Sequence, residues 1–269
     1  MVRDVYATAT PSIEENHMKT KNLNRLVFCV AVCVLSFTAI QADDYDDLIQ
    51  AAVDNPARLE TNSSRDTLRK PAEVIKFMGV QPGMTVLDLV AIGGYYTEIL
   101  AGVVGSEGRI ISHVFAASGR DPDYAFATHI RNSRHLDNVV PIYADFGDLE
   151  LKENTLDQIF LIQNFHDFYF ERFGVDVNAM LEMFRSALKP GGTLAVIDHV
   201  AVDDAPSSTG NSIHRISPVL TKRVLQAAGF ILEAESDILL NDTDDPTIIV
   251  FNPSVRGKTS RFIHRYTNP

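Results

Sequence analysis

The stretch FRSALKPGGTLAVIDH, residues 184–199, has the pattern of a helix end, a tight turn and a strand. Apolar residues recur at helical spacing over residues 177–188, which predicts an amphipathic helix. The apolar run at 193–200 predicts a buried strand, and KPGG forms the turn between the two. Gly191 and Gly192 allow the chain to reverse and carry no chemistry themselves. The stretch therefore indicates the type of fold and leaves the reaction open.

The same alternation of strands and helices extends along the chain in both directions. Apolar runs that predict further strands lie upstream, at residues 85–90, 108–115, 138–146 and 156–165. Strands this apolar, separated by helical segments, are typical of a parallel sheet with both faces covered. Downstream, the strands predicted within 231–239 and 261–267 have no full helix between them, which predicts an antiparallel pair at one edge.

The first of these strands leads into the bend of VLDLVAIGGYYTEIL, residues 86–100. In open α/β sheets, ligands bind beyond the carboxyl ends of the strands, where the first turn presents backbone N–H groups and a helix N-terminus. The bend carries Gly93 and Gly94 and follows the acidic Asp88. This bend is therefore the predicted cofactor-binding turn.

Three segments give the chain its resemblance to a known family: Arg69-Lys70-Pro71, GGYYTEIL at 93–100 and RGKTSRF at 256–262. The chain resembles the class I methyltransferases that use S-adenosylmethionine (SAM), and it looks most like the exported predicted methyltransferases of bacteria. The resemblance extends from Arg65 to the C-terminus. It implies an α/β, Rossmann-like, doubly wound and mostly parallel seven-stranded sheet, with an antiparallel edge strand at the C-terminus and SAM as the cofactor.

The resemblance also implies a set of cofactor contacts, with two departures from the family pattern. The pattern places glycines two, four and six residues after the acidic Asp88, and this chain has Val90, Ile92 and Gly94 there. Where a carboxylate normally binds the ribose hydroxyls, the chain has Ser112-His113-Val114, so ribose binding is expected to be weaker. The predicted cofactor-binding residues are Asp88, Ile92, Gly93, Gly94, Asp145 beside the adenine, and Asn164.

His166 is the predicted catalytic residue, because an imidazole titrates near neutral pH and can take a proton from an acceptor. A structural histidine bonded to Asp167 is an equal alternative. His199, His214 and Arg215 are the predicted substrate-binding residues. His166, His199 and His214 could also be interpreted as a metal site with Asp167 and Asp198. Their spacing lacks a short two-histidine motif, so no metal is predicted.

The N-terminal region has the order of a secretory signal. Basic residues at 19, 21 and 25 precede an apolar run of 15 residues at 26–40, which is short for a membrane span. We predict an upstream over-extension at 1–17, a signal peptide at 18–42, a helical lead-in at 43–70 and a methyltransferase-like domain at 71–269. The predicted product is exported, either periplasmic or secreted; an uncleaved membrane anchor is the alternative.

Charge and cysteine content narrow the partners of the predicted mature chain. Four of the 24 Lys and Arg and three of the 35 Asp and Glu lie before residue 43, which leaves a net charge of −12. This charge argues against nucleic acid or an anionic membrane as a partner. Cys29 and Cys33 both lie in the apolar run, so the mature chain has no thiolate ligand or cysteine nucleophile.

Two classes of function remain open at this point. The first is methyl transfer from SAM to a small-molecule acceptor. The second is a catalytically inactive secreted binding protein that retains the fold, which Ile92, the missing ribose carboxylate and the export signal favour. A nicotinamide-dependent oxidoreductase is disfavoured, because the first turn lacks GxGxxG.

Overall fold

The computed structural model describes residues 42–115 and 121–269, with the side chains of 121–124 left out. The predicted over-extension at 1–17 and the predicted signal peptide, except for its last residue, lie outside the described residues. Within the described part of the chain, no helix is both long and apolar enough to cross a bilayer.

The described residues form one seven-stranded sheet, with the strand order β3-β2-β1-β4-β5-β7-β6. Its strands are β1 (Thr85–Leu89), β2 (Arg109–Phe115), β3 (Val139–Ala144), β4 (Leu156–Ile162), β5 (Leu188–His199), β6 (Ile231–Ser236) and β7 (Arg261–Thr267). Strands β1 to β5 pair in parallel, and β7 is antiparallel to both β5 and β6. This arrangement confirms the predicted fold class. The antiparallel strand β7 is inserted beside β5, so β6 forms that edge of the sheet.

Helices cover both faces of the sheet. They are α1 (Ala42–Val53), α2 (Glu60–Ser63), α3 (Asp66–Arg69), α4 (Pro71–Met78), α5 (Tyr95–Val104), α6 (Asp121–Asn132), α7 (Val177–Ala187), α8 (Thr209–Ile213) and α9 (Pro218–Ala227). Val86 and Phe160 pack into the core with α1, α4 and α5, whereas the adjacent Leu87 and Ile159 pack with α7 and α9. Neighbouring strand residues therefore enter opposite cores, which is why these strands are apolar throughout.

Local sequence signals set the helix ends that frame the site. Pro71 occupies the first turn of α4, and Gly79 ends that helix with a φ of 72°. The Asp176 carboxylate accepts hydrogen bonds from two backbone N–H groups at the start of α7, and the Ser217 hydroxyl accepts one at the start of α9. These caps set the residues at which α7 and α9 begin.

Candidate functional site

A cavity of about 500 Å³ lies beyond the carboxyl ends of β1, β4 and β5. Its volume falls in the range of small-molecule binding sites. One end, here called the turn end, is lined by Arg65, Arg69, Asp88 and the residues 90–92. The other, here called the histidine end, is lined by His166, Asp167, His199 and His214. The cavity therefore joins the predicted cofactor-binding turn to most of the predicted catalytic and substrate-binding residues.

The turn after β1 keeps a glycine-like backbone although two of its residues are branched. Val90 has a φ of 54° and Ile92 a φ of 27°, and Gly93 and Gly94 follow at 73° and 71°. Positive φ is costly for branched residues, about 1–3 kcal/mol each. The Ile92 side chain is 38% exposed and lines the cavity. The chain therefore takes the path that glycine would favour and places an isoleucine side chain in the binding space.

Gly94 is required by packing within the fold. A Cβ at Gly94 would lie 1.7 Å from the ring of Phe126 in α6, whereas a Cβ at Gly93 would contact nothing within 4 Å. Neither glycine is among the described residues that line the cavity. Of the cofactor residues predicted in this turn, Asp88 and Ile92 line the cavity.

Asp88 lies at the end of β1 with its carboxyl group buried. Its Oδ2 accepts a hydrogen bond of 2.6 Å from the Thr97 hydroxyl of α5. Burial raises the pKa of Asp88 to about 6, although the Thr97 hydrogen bond opposes that shift. The strand end and the following helix are thereby bonded to each other directly under the turn.

His113, near the end of β2, fills the position where the family pattern has the ribose carboxylate. Its Nδ1 accepts from the Val90 backbone N–H at 3.2 Å, so its Nε2–H donates to the Ala144 carbonyl at 3.1 Å. Burial lowers the pKa of His113 to about 4, which keeps the ring neutral. Both nitrogens are thus engaged within the fold, and His113 ties the cofactor turn to the end of β3.

The aromatic side chains at the ends of β2 and β3 face the same cavity. Phe115 and Phe146 line it, with their ring centroids 4.7 Å apart. Asp145, predicted beside the adenine, precedes Phe146 and is not among the described lining residues. The ring of Phe146, the residue after Asp145, therefore lines this part of the cavity.

At the histidine end, His166 is 3% exposed and is bonded on both sides of its ring. Its Nδ1 lies 2.8 Å from Oδ1 of Asp198, and its backbone N–H donates to Oδ2 of the same carboxylate. Its Nε2 lies 3.2 Å from Oδ1 of Asp167 and 3.3 Å from Nδ1 of His214. Asp198, at the end of β5, therefore fixes the ring so that Nε2 is directed to Asp167 and His214.

Charge around this ring favours a positive group at His166. Burial acts to lower the pKa of His166, but the charge and hydrogen bond of Asp198 and the charge of Asp167 raise it above its usual range. Burial acts to raise the pKa of Asp198, but the charge and hydrogen bond of His166 lower it below its usual range. A raised pKa favours the protonated imidazole, and only the neutral ring can accept a proton from a substrate.

Two predicted neighbours of His166 also face the cavity. His199, at the end of β5, has its Nδ1 2.7 Å from the Thr259 hydroxyl, and burial lowers its pKa to about 3. Asn164, predicted to contact the cofactor, lines the cavity and donates its amide to Oδ2 of Asp167 at 2.8 Å.

Arg215, predicted in the substrate wall, is fully buried and is not among the described lining residues. Its guanidinium forms a bidentate ion pair with Asp244 at 2.8 and 2.9 Å and also donates to the carbonyls of Val200 and Ile248. Every guanidinium nitrogen is committed to this packing. Arg215 therefore links the loop before α9 to residues 244–248 instead of binding substrate.

Sequence reasoning assigned no role to two arginines at the turn end. Arg65 and Arg69 line the cavity and stack over the Tyr95 ring, 4.9 and 4.6 Å from its centroid. Arg69 donates to the Gln163 side chain at 3.0 Å, and Arg65 Nε has no hydrogen-bond partner among the described residues. The two arginines are four residues apart, a spacing that places side chains on one face of a helix. This spacing was the sequence signal that could have predicted a shared position.

Comparison with solved structures shows the same fold in proteins of different activity. A SAM-dependent methyltransferase from Aquifex aeolicus is 23% identical, covers 83% of this chain and 98% of its own, and has a TM-score of 0.57. Geranyl diphosphate C-methyltransferase from Streptomyces coelicolor A3(2), solved with Mg²⁺, geranyl diphosphate and S-adenosyl-L-homocysteine, is 14% identical over 82% and 88% of the two chains, with a TM-score of 0.56.

The cyclase SpnF is 16% identical over 84% of this chain and 94% of its own, with a TM-score of 0.55. The chain matches no protein-family model and none of the curated proteins. At these identities the likeness shows the fold alone. The fold is that of SAM-dependent methyltransferases, and a cyclase uses it as well.

Proposed function

We propose that the protein transfers a methyl group from SAM to a small-molecule acceptor. The observation that carries this proposal is the single cavity that joins the turn after β1 to His166. In this fold class a ligand binds at that turn, so a cofactor there would have its reactive end near the carboxyl ends of β4 and β5. The histidine end is then the place of the acceptor.

The chemistry of the turn end suits the parts of SAM. Arg65 and Arg69 line the cavity, and a guanidinium group can pair with a carboxylate such as that of the methionine part. Phe115 and Phe146 offer ring faces and edges to a flat base. Because His113 replaces the ribose carboxylate, these groups supply the contacts, and we expect weaker affinity than a complete family pattern would give.

The histidine end handles the acceptor and its proton. SAM, when bound, supplies a methyl group on a sulfonium; the acceptor's lone pair forms the new bond to carbon while the carbon–sulfur pair returns to sulfur. Asp198 holds the His166 ring so that Nε2 accepts the acceptor's proton, once that nitrogen has lost its own. His199 and His214 border the same space and position the acceptor.

Calorimetric titration of the protein with SAM and with S-adenosylhomocysteine tests the proposal. We expect one molecule of either ligand per chain. We also expect Arg69→Met to weaken both, since the charge paired with the carboxylate is lost while much of the side-chain volume remains. Arg131→Met, an exposed arginine of α6, is the matched control and should bind as the wild type does. Absence of binding of both ligands to the wild type would overturn the proposal.

The alternative function is a binding protein that has lost the reaction, and the turn favours it specifically. Ile92 lines the cavity at the turn end, and His113 in β2 stands where the family pattern has the ribose carboxylate. This alternative expects the wild-type protein to bind a small molecule in the cavity without SAM.

We also propose that the chain is exported after cleavage near Asp43. Basic residues, a 15-residue apolar run and small residues occur in the order of a secretory signal. N-terminal sequencing of the periplasmic or secreted fraction should begin near Asp43. Recovery of residues 18–42 on the intact protein in a membrane fraction would show an anchor instead.

A further inference from the structure

Three ligand-type atoms meet at the histidine end with the spacing of a metal site. Nε2 of His166 lies 3.3 Å from Nδ1 of His214 and 3.2 Å from Oδ1 of Asp167. All three atoms lie within 4.8 Å of one another. Ligands at about 2.0–2.1 Å from a tetrahedral zinc ion are about 3.3 Å apart. Two of the three spacings therefore already match those around a bound ion.

The groups behind these atoms are those that usually support metal ligands. The Asp198 carboxylate bonds Nδ1 of His166 at 2.8 Å, which is the carboxylate–histidine arrangement that orients an imidazole toward a metal. The Asn164 amide holds Oδ2 of Asp167 and leaves Oδ1 facing His166. The carboxylates of Asp167 and Asp198 thus supply negative charge beside the imidazoles of His166 and His214.

The backbone brings His214 to this position at some cost. His214 directly follows α8 with a φ of 56°, in the left-handed region that favours glycine. Gly210 of the same helix packs so closely that a Cβ there would lie 2.5 Å from the His166 carbonyl oxygen. The close approach of α8 therefore sets the distance between the two imidazoles.

We infer that His166, Asp167 and His214 bind a divalent transition-metal ion such as Zn²⁺, with a further coordination position open to the cavity. The ion would be held by two imidazoles and one carboxylate, a set found in catalytic zinc sites with a fourth position for water or substrate. His166 is then a ligand, and Asp198 and Asn164 are positioning residues.

This site narrows the class of acceptor, a step that rests on the proposed function. An acceptor whose oxygen or nitrogen donor binds the ion would have its pKa lowered, and its proton would leave to solvent water before the methyl group is transferred. The ion would thus take over the activation that His166 performs in the metal-free protein. Acceptors with a metal-binding hydroxyl or amine are the expected class.

Another group, Glu98, His129 and His135, also has metal-type spacing but is already used by the fold. The Glu98 carboxylate accepts from the Leu59 backbone N–H and from the Asn62 amide. This group is therefore the matched control.

The experiment is a titration of the chelator-treated full chain with Zn²⁺ by calorimetry and with Co²⁺ by visible absorption. We expect one ion per chain and a tetrahedral Co²⁺ spectrum. His214→Ala and Asp167→Asn should each weaken Zn²⁺ binding about tenfold or more, and Asp198→Asn about 10–100-fold, as expected for a support of a ligand. His129→Ala should bind as the wild type does. Circular dichroism checks folding, and Asp167→Asn, nearly isosteric, carries the test if His214→Ala does not fold.

Two results would overturn the inference: a wild-type chain that binds no Zn²⁺, or binding that is lost in His129→Ala and kept in His214→Ala and Asp167→Asn. Zn²⁺ is titrated without SAM, and SAM without Zn²⁺. If the chain binds Zn²⁺ and no SAM, the metal site stands and the proposed methyl transfer is overturned. If it binds SAM and no Zn²⁺, the proposed methyl transfer stands and the metal site is overturned.

Discussion

The turn end of the cavity is shaped largely by its backbone, whereas the histidine end is shaped by side chains bonded to one another. At the turn end, Val90 and Ile92 hold positive φ values, and the His113 ring and the Phe126 ring fix the loop from behind. At the histidine end, Asp198 and Asn164 orient His166 and Asp167 directly. Substitutions at the first end should change the shape of the site, and substitutions at the second should change its charge.

The largest effect is expected from Asp198→Ala at the histidine end. The carboxylate is fully buried, so its loss leaves His166 without its partner, and removal of one member of a buried pair costs about 3–5 kcal/mol. Denaturant unfolding measures this change. A loss below about 1 kcal/mol would show that the pair is not a structural element of this end.

Gly94→Ala should be next in size and acts at the turn end. The added Cβ would meet the Phe126 ring at 1.7 Å, and the φ of 71° is itself unfavourable for alanine. We expect a loss of about 3 kcal/mol in the free energy of unfolding. Gly93→Ala is the matched control, because it shares the positive φ without the clash, and it should cost about 1 kcal/mol. Equal losses in the two variants would contradict the role of Phe126.

His113 gives the turn end a pH dependence of definite sign. Its pKa is about 4 in the folded protein and 6.5 in the unfolded chain, so the unfolded chain takes up the proton first and stability falls as the pH falls. The free energy of unfolding of the wild type, relative to that of His113→Gln, should fall by about 2 kcal/mol between pH 7 and pH 5. The difference between the two proteins is the quantity to measure by urea unfolding.

Asp88→Asn is the control for that pH series and should act in the opposite direction. The pKa of Asp88 is raised to about 6 in the folded protein, so its contribution to stability is present at low pH and is lost as the pH rises through 6. A wild-type advantage over His113→Gln that stays constant with pH would show that the ring binds protons equally in the folded and unfolded chains.

The smallest effect is expected from Ile92→Gly at the turn end, where it tests whether the isoleucine side chain limits SAM binding. The change opens the cavity and relieves the φ of 27°, so SAM should bind a few-fold tighter, on the order of 1 kcal/mol, with part of the gain lost to the freedom of glycine. Calorimetry measures the affinity, and a melt measures stability. If the variant is destabilised and binds no SAM, the fold assignment stands and the proposed function is contradicted.

The fold could be predicted from the sequence, and the candidate site could be placed at the strand ends, because both rest on local patterns. Apolar runs and helical spacing record burial on the sheet, and the strand ends place His166 and His199 at one edge. The sequence did not predict the insertion of β7, the Arg215–Asp244 ion pair or the contact of Gly94 with Phe126. Each of these joins residues far apart in the chain, where no local period carries a signal.

Contacts between residues far apart in the chain also decide the surroundings of individual site residues. His166 and His214 are 48 residues apart, so their ligand-type spacing is invisible to a short-motif search. Asp145 follows β3 and is not among the described residues that line the cavity. Arg215 lies in the loop between α8 and α9 and forms an ion pair with Asp244.

The position of β7 has a consequence for how the chain is assembled during synthesis. Strand β6 leaves the ribosome before β7, but β7 lies between it and β5, so β6 has no neighbour in the sheet until residues 261–267 emerge. Until then, β5 also presents an open edge able to pair with another chain. Nascent chains stalled between residues 236 and 261 should therefore depend on chaperones more than chains released after β7.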